Sequence, residues 1–355
     1  MVQFALPLTV LFVLSATTSF FATRIVKAVA ERVGAIDVPD SRKHHANATP
    51  RLGGLAIIFG FGFPLMLLAG APRAAELVSK NLTYLFAVLA GGSLIVGLGV
   101  YDDLLGSDAT KKFLVQTIAA VILVSFGFHF RFVSLAGGTI ELGIFGVLLS
   151  IVWIVGVMNA VNFIDGMDSL ATLVSITIAI AFAIIAVVRY DVFTLVIMTS
   201  LAGSLAGFYP WNKPPAKIFM GDTGSLFIGL LLAACSIARP SKSPTAILVG
   251  GPIIALALPV IDTLIVMKQR FGGTAVPMRE RITRMFNADR RHIHHILIAK
   301  YGSPWRAIIS IWLVTVLFGT AAVLTVLEET KIFGYTMAIA AFLALLLLRY
   351  LKPAG

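Results

Sequence analysis

Eleven apolar runs, each close to the length needed to cross a bilayer, fix most of what this chain can fold into. They lie at roughly 4–22, 52–71, 82–100, 113–130, 142–158, 170–188, 192–209, 224–238, 244–266, 306–327 and 335–350. A helical crossing takes about 20 residues. Lipid offers no hydrogen bonds to the backbone, so segments of this kind become helices. The expected fold class is an all-α polytopic membrane protein of about eleven transmembrane helices, with residues 1–355 forming a single integral-membrane domain. No internal repeat or low-complexity linker divides it. The first run is expected to be retained rather than cleaved as a signal peptide, since Arg24 is the first basic residue and the apolar core is too long.

Composition agrees with that reading. Apolar residues make up 58% and charged ones 13%, where soluble domains sit near 45–50% and 25%. A lone cysteine, Cys235, excludes an internal disulfide framework. The net charge of +11 is a topology signal rather than a sign of nucleic-acid binding. With the N-terminus periplasmic and the C-terminus cytoplasmic, all but seven of the 28 basic residues fall on the cytoplasmic side. The exceptions are Arg73, Lys80, Arg131, Arg189, Arg239, Lys242 and Lys331. The same assignment puts the loops rich in Asp, Asn, His and Gly (24–51, 101–112, 159–169, 210–223 and 267–305) on that one face. Five polar loops converging there describe a site at the membrane–cytosol boundary.

The central loop is Asn159-Ala-Val-Asn-Phe-Ile-Asp-Gly-Met-Asp-Ser-Leu170, with polar residues at 159, 162, 165 and 168. A spacing of three turns each helical position back by roughly 60°. Neighbours can therefore share a ligand, while Asn159 and Asp168 face opposite ways. One membrane helix cannot hide all four from lipid, so the segment is expected to end a helix near Gly166 and line a polar pocket.

Asp102-Asp103 closes the third run. A solvated helix end is the plain reading, but acids at membrane depth are costly and default to function. Paired carboxylates suit Mg²⁺ or a proton acceptor. Lys111 and Lys112 follow, able to hold a phosphate or to serve only as positive-inside residues. Phe219-Met-Gly-Asp-Thr-Gly-Ser225 opens the eighth run. Free N–H groups and the positive helix end there favour anions, and Asp222 is a hard oxygen ligand or an N-cap. Phe219 can stack on a base or belong to an interfacial aromatic belt.

Asp289-Arg-Arg-His-Ile-His-His295 raises a zinc reading, which the lack of a nearby cysteine and of a fourth ligand disfavours. Arg290, Arg291, His292, His294 and His295 fit better as donors to phosphate oxygens. The first loop, ending Thr49-Pro-Arg-Leu-Gly-Gly54, suits an anionic headgroup or general lipid-surface attraction. Asp262, inside the ninth run, is either structural, paired with a neighbouring helix, or a support for a functional residue. No Ser/His/Asp nucleophile arrangement is visible, and the set as a whole suggests metal-assisted chemistry on a phosphate.

In this order, the five motifs 49–54, 102–103, 159–168, 219–225 and 289–295 resemble the polyprenyl-phosphate N-acetylhexosamine-1-phosphate transferases. That superfamily includes initiating enzymes of O-antigen and other lipopolysaccharide-type and cell-wall polysaccharides, and the phospho-MurNAc-pentapeptide translocase of peptidoglycan synthesis. The His-Ile-His-His form is similar to the GlcNAc-1-phosphate type. Ser169 stands where the family usually has Gly, and Asn47-Ala48 where Lys-Pro is common. The resemblance implies a multi-pass enzyme of the bacterial inner membrane that uses a UDP-N-acetylhexosamine, undecaprenyl phosphate and Mg²⁺, with Mn²⁺ as a chemical substitute. It implies Asp222 and Asn162 as metal ligands, and Asp102, with Asp103 in support, as the group that deprotonates or orients the lipid phosphate. Asp165 and Asp168 fall beside the nucleotide, Phe219 on uracil, Asn159 at the nucleotide-sugar, and Lys112 and the histidine loop on phosphates. A transporter or lipid carrier using the acids for ion coupling is the rival, weakened by acids gathered at one face and by the missing repeat. The oligomeric state stays open, a homodimer included.

Overall fold

Each of the eleven apolar runs is helical over most of its described residues, but not all of those helices are long. The computed structural model describes residues 2–37, 48–70, 76, 78–135, 138–237, 250–271 and 291–350. In chain order the helices are α1 (Val2–Val33), α2 (Gly53–Ala69), α3 (Leu82–Leu105), α4 (Ala109–Ser125), α5 (Gly143–Ile164), α6 (Leu170–Val188), α7 (Val192–Asn212) and α8 (Gly221–Ser236). They continue as α9 (Gly250–Ala255), α10 (Ala257–Phe271), α11 (Ile293–Tyr301), α12 (Pro304–Leu324) and α13 (Lys331–Tyr350).

Among the described residues, seven helical segments are long and apolar enough to cross a membrane: Pro7–Val33, α3, α5, α6, α7, α12 and Glu328–Tyr350. Two more apolar helices, α2 and α8, are shorter. The chain is thus a nearly all-helical, multi-pass membrane protein. The difference from the expected eleven lies in the short members. Helix α4 has 17 residues, and the run at 244–266 is interrupted at Leu256, between α9 and α10. Pro259 explains the break, because its ring obstructs the carbonyl four residues back, that of Ala255. The all-α expectation also omitted two small antiparallel ribbons. Residues Ile36–Asp37 (β1) pair with Thr49–Pro50 (β2), and Phe132–Leu135 (β3) with Gly138–Glu141 (β4).

Helix α8 is the hub. Nearly all its residues are buried, and α2, α3 and α5 pack around it. Sixteen residues reach only about 24 Å, too little for a full crossing, yet sufficient for a helix enclosed by others. The approach is close because two helices present glycine to it. A side chain at Gly54 would collide with the Gly224 backbone, and one at Gly99 with that of Thr223. Around this centre lies a contiguous apolar core that includes Ile57, Ile95, Met158, Phe182 and Leu231. The outer surface is apolar too: Phe21, Met66, Leu105 and Phe145 are each more than 60% exposed. Water would penalise such a surface, whereas lipid tails accept it.

Candidate active site

The N-terminus of α8 organises the polar groups. Its first amides lack intrahelical acceptors, and Asp103 on α3 supplies one. Asp103 is buried; its Oδ1 accepts from the Asp222 amide at 3.0 Å, and its Oδ2 accepts from the Thr223 amide at 3.1 Å and the Thr223 hydroxyl at 2.6 Å. Gly221, at φ 66°, passes so close to this carboxylate that a Cβ would strike it. Asp103 therefore caps a helix other than its own.

Its neighbour Asp102 points elsewhere, as adjacent helical residues must. Oδ1 of Asp102 accepts from the Ser107 hydroxyl at 2.7 Å, and Oδ2 lies 2.8 Å from the Lys112 ammonium. That ammonium also reaches Oδ2 of Asp222 at 2.6 Å. The other Asp222 oxygen accepts from the Asn162 amide at 3.0 Å, which also donates to the Ser225 hydroxyl at 2.8 Å. Carboxylate oxygens of Asp102, Asp103 and Asp222 all lie within 4.8 Å of one another. Such a cluster of hard oxygen donors has the chemistry of a divalent-cation site.

Helix α5 ends where the polar spacing suggests. Asp165 follows its last residue, with its amide bonded to the Asn162 carbonyl. Burial first, and then the carboxylates of Asp222 and Asp103, push the Asp165 carboxyl well above the usual carboxylate range. Arg51 acts in the opposite sense. Asp165 thus belongs electrically to the same cluster.

Other expected site residues sit apart or are turned away. Asn159 donates to Gln116 at 2.7 Å and to the Val155 carbonyl at 2.8 Å, joining α5 to α4. Asp168 accepts from the Ala216 amide at 2.9 Å, bracing the loop between α7 and α8. Phe219 is half-buried, and its backbone pairs with Pro50 and Gly53. His292 and His294 are buried, and the His294 ring lies against Gly166, which brings the histidine segment beside the 165–168 loop. The ring centroids of His294 and His295 are 4.1 Å apart. Asp289 and Arg290 fall outside the described residues.

Several contributors escaped the sequence reading. The docking role of the Thr49–Gly54 motif is one of them: the amides of Gly53 and Gly54 donate to the carbonyls of Phe219 and Met220, and the Phe219 amide donates to that of Pro50. Arg51 pairs with Asp37. Asn212 is buried; its Oδ1 accepts from the Ser169 amide and the Thr172 hydroxyl, and its Nδ2 donates to the Ile218 carbonyl. An amide so close to two polar loops was the available signal for Asn212. Nothing in the sequence singled out Gln116.

Comparison with known proteins accords with this arrangement. The model of glycosyl transferase family 4 matches residues 85–239, which hold Asp102 through Asp222. A probable undecaprenyl-phosphate N-acetylglucosaminyl 1-phosphate transferase of Bacillus subtilis (strain 168) is 35% identical over 316 residues, covering 88% of this chain and 84% of the relative. A decaprenyl-phosphate N-acetylglucosaminephosphotransferase of Mycobacterium tuberculosis is 35% identical, over 87% of this chain and 80% of the relative. A phospho-N-acetylmuramoyl-pentapeptide-transferase of Lactococcus lactis subsp. cremoris is 32% identical, over 80% and 86%. Identity at this level across most of each chain decides the family: the protein belongs to glycosyl transferase family 4, the superfamily of polyprenyl-phosphate N-acetylhexosamine-1-phosphate transferases.

Proposed function

We propose that the protein transfers an N-acetylhexosamine-1-phosphate, with GlcNAc-1-phosphate as the first choice, from a UDP-sugar to undecaprenyl phosphate. UMP leaves, and the lipid-diphosphate-linked sugar initiates a cell-surface polysaccharide. The reaction takes place at the cytoplasmic face of the bacterial inner membrane, the side given by the basic loops. The observation that carries this reading is the meeting of Asp102, Lys112, Asn162 and Asp222, from α3, α4, α5 and α8, at one helix N-terminus.

The donor set fits Mg²⁺. Asp222 and Asn162 would hold it, with Asp102 as a further oxygen nearby, while Asp103 is already engaged by three donors. When bound, the ion neutralises diphosphate charge and makes the β-phosphorus more electrophilic. Two anions must meet here, so the barrier contains a large repulsion that fixed cationic donors lower.

Asp102 receives the proton of the lipid phosphate, or orients its oxygen, at the carboxylate it now shares with Lys112. Lys112 turns its ammonium toward a phosphate oxygen. The histidine segment holds the leaving side. An oxygen of the lipid phosphate then bonds to the β-phosphorus, the bond from that phosphorus to the bridging oxygen breaks, and UMP departs with the bridging oxygen. Asp165 and Asp168 flank the nucleotide in this scheme, and Phe219 offers its ring to uracil. A two-step route through an aspartyl-phosphate on Asp102 or Asp103 is the alternative, and Asp103 is poorly suited to it, since both its oxygens are hydrogen-bonded. Direct attack needs fewer steps. The test is UMP release by purified protein in detergent with Mg²⁺, undecaprenyl phosphate and a panel of UDP-N-acetylhexosamines. Release with none of them would remove the reading, and a preference for a 6-deoxy sugar would change the donor.

A further inference from the structure

Away from the acidic cluster, three side chains on three helices form a second buried polar centre. Asp262 on α10 is 1% exposed, His292 at the start of α11 is 4% exposed, and Arg349 in the last turn of α13 is 6% exposed. Asp262 accepts from everything around it. Its Oδ2 lies 2.8 Å from Nδ1 of His292, while its Oδ1 is 3.0 Å from the Ile293 amide and 2.6 Å from Nη1 of Arg349. Nη2 of Arg349 donates to the Arg291 carbonyl at 2.8 Å. The C-terminal helix therefore grips both the carboxylate and the backbone that carries the histidine.

This contact settles the chemistry of the imidazole. A carboxylate at Nδ1 holds the proton there, so Nε2 is the atom left to act. Nε2 of His292 is buried and has no hydrogen-bond partner among the described residues. A buried polar atom left so is costly unless a ligand completes it. The ring lies against Phe163, centroid to centroid 5.2 Å, and is stacked 5.9 Å from His294. Phe163 follows Asn162, and His294 abuts Gly166, so the histidine borders the loop assigned to the donor substrate.

We infer that Asp262 and Arg349 are positioning residues: together they fix the tautomer and aim of His292 so that its Nε2 meets a phosphate oxygen of the donor. Arg349 is the outer half of the device. Its first nitrogen holds the Asp262 carboxylate in place, and its second fixes the Arg291 carbonyl one residue before the histidine. The idea rests on the transferase reading, and the experiment separates the two.

UMP release by the wild-type protein is measured first, and its absence sinks the transferase reading alone. Asp262→Asn is then compared with the double variant Asp262→Asn/Arg349→Gln, which removes both buried charges together and so avoids leaving Arg349 unpaired. Thermal stability in detergent should fall in the single variant and return in the double. Turnover should stay roughly tenfold to a hundredfold below wild type in both, the usual cost of losing a residue that orients a functional histidine. In a His292→Gln background, Asp262→Asn/Arg349→Gln should lower kcat/KM no further, because the pair acts through that ring. Recovery of turnover together with stability in the double variant would make the centre purely structural. Additive losses in the His292→Gln background would equally overturn the proposal.

Discussion

The ammonium of Lys112 lies 2.6 Å from the carboxylate of Asp222, across 110 positions of sequence. It lies 2.8 Å from Asp102 as well, and so stands between the two carboxylates that a divalent cation would also approach. One lysine thereby screens the repulsion of a carboxylate cluster held within 4.8 Å.

Lys112→Met should therefore make stability depend on metal. In chelator the variant is expected to lose about 1–2 kcal/mol, a value set between those of exposed and fully buried pairs because these side chains are partly accessible. Added Mg²⁺ should restore most of the loss. Thermal unfolding in detergent, with and without Mg²⁺, checks it; an equal deficit in both conditions would place Lys112 outside the cation's reach.

Asp222→Asn should cost several orders of magnitude in turnover, since it removes a charged oxygen at the centre of the cluster. UMP release across a Mg²⁺ titration is the measurement. Near-normal activity with an unchanged Mg²⁺ requirement would dismiss Asp222 as a metal ligand.

Asp102 and Asp103 are adjacent and should fail differently. Asp103→Ala strands two amides and a hydroxyl at a buried helix end, with an expected cost of about 2–4 kcal/mol. Asp102→Asn should leave stability and UDP-sugar binding nearly intact while impairing turnover. Unfolding curves and nucleotide-sugar binding on both variants distinguish the two roles, and loss of UDP-sugar affinity in Asp102→Asn would move that residue to the donor side.

Ser169→Gly should stabilise. Ser169 sits at φ 60°, in the left-handed region that favours glycine, and its buried hydroxyl has no hydrogen-bond partner among the described residues. Relief of about 1 kcal/mol is expected, seen as a higher unfolding temperature. The amide bond to Asn212 needs no side chain and survives the change.

Much of the fold could be read from hydrophobic length, because lipid leaves a long apolar run little option but helix. What length cannot report is enclosure. Helix α8 can be short where other helices surround it, and α9 and α10 part at Leu256, ahead of Pro259, inside a run that reads as continuous. The polar loops were legible as places where charge is out of keeping with a membrane. Their pairings were not. Arg349 counts in sequence as one more basic residue near a helix end, yet it is buried against Asp262. Asn159 shares a spacing with Asn162, but a one-turn offset gives it Gln116 as its partner in place of Asp222. The Thr49–Gly54 segment reads as a loop suited to a headgroup, and no residue in it announces that its amides also hold α2 to the start of α8.

The bond from Asp103 to the first amides of α8 rivets the end of one helix to the beginning of another. Asp102 and Asp222 are thereby tied into one block, so the proposed reaction would take place on an anvil and not in a closing jaw.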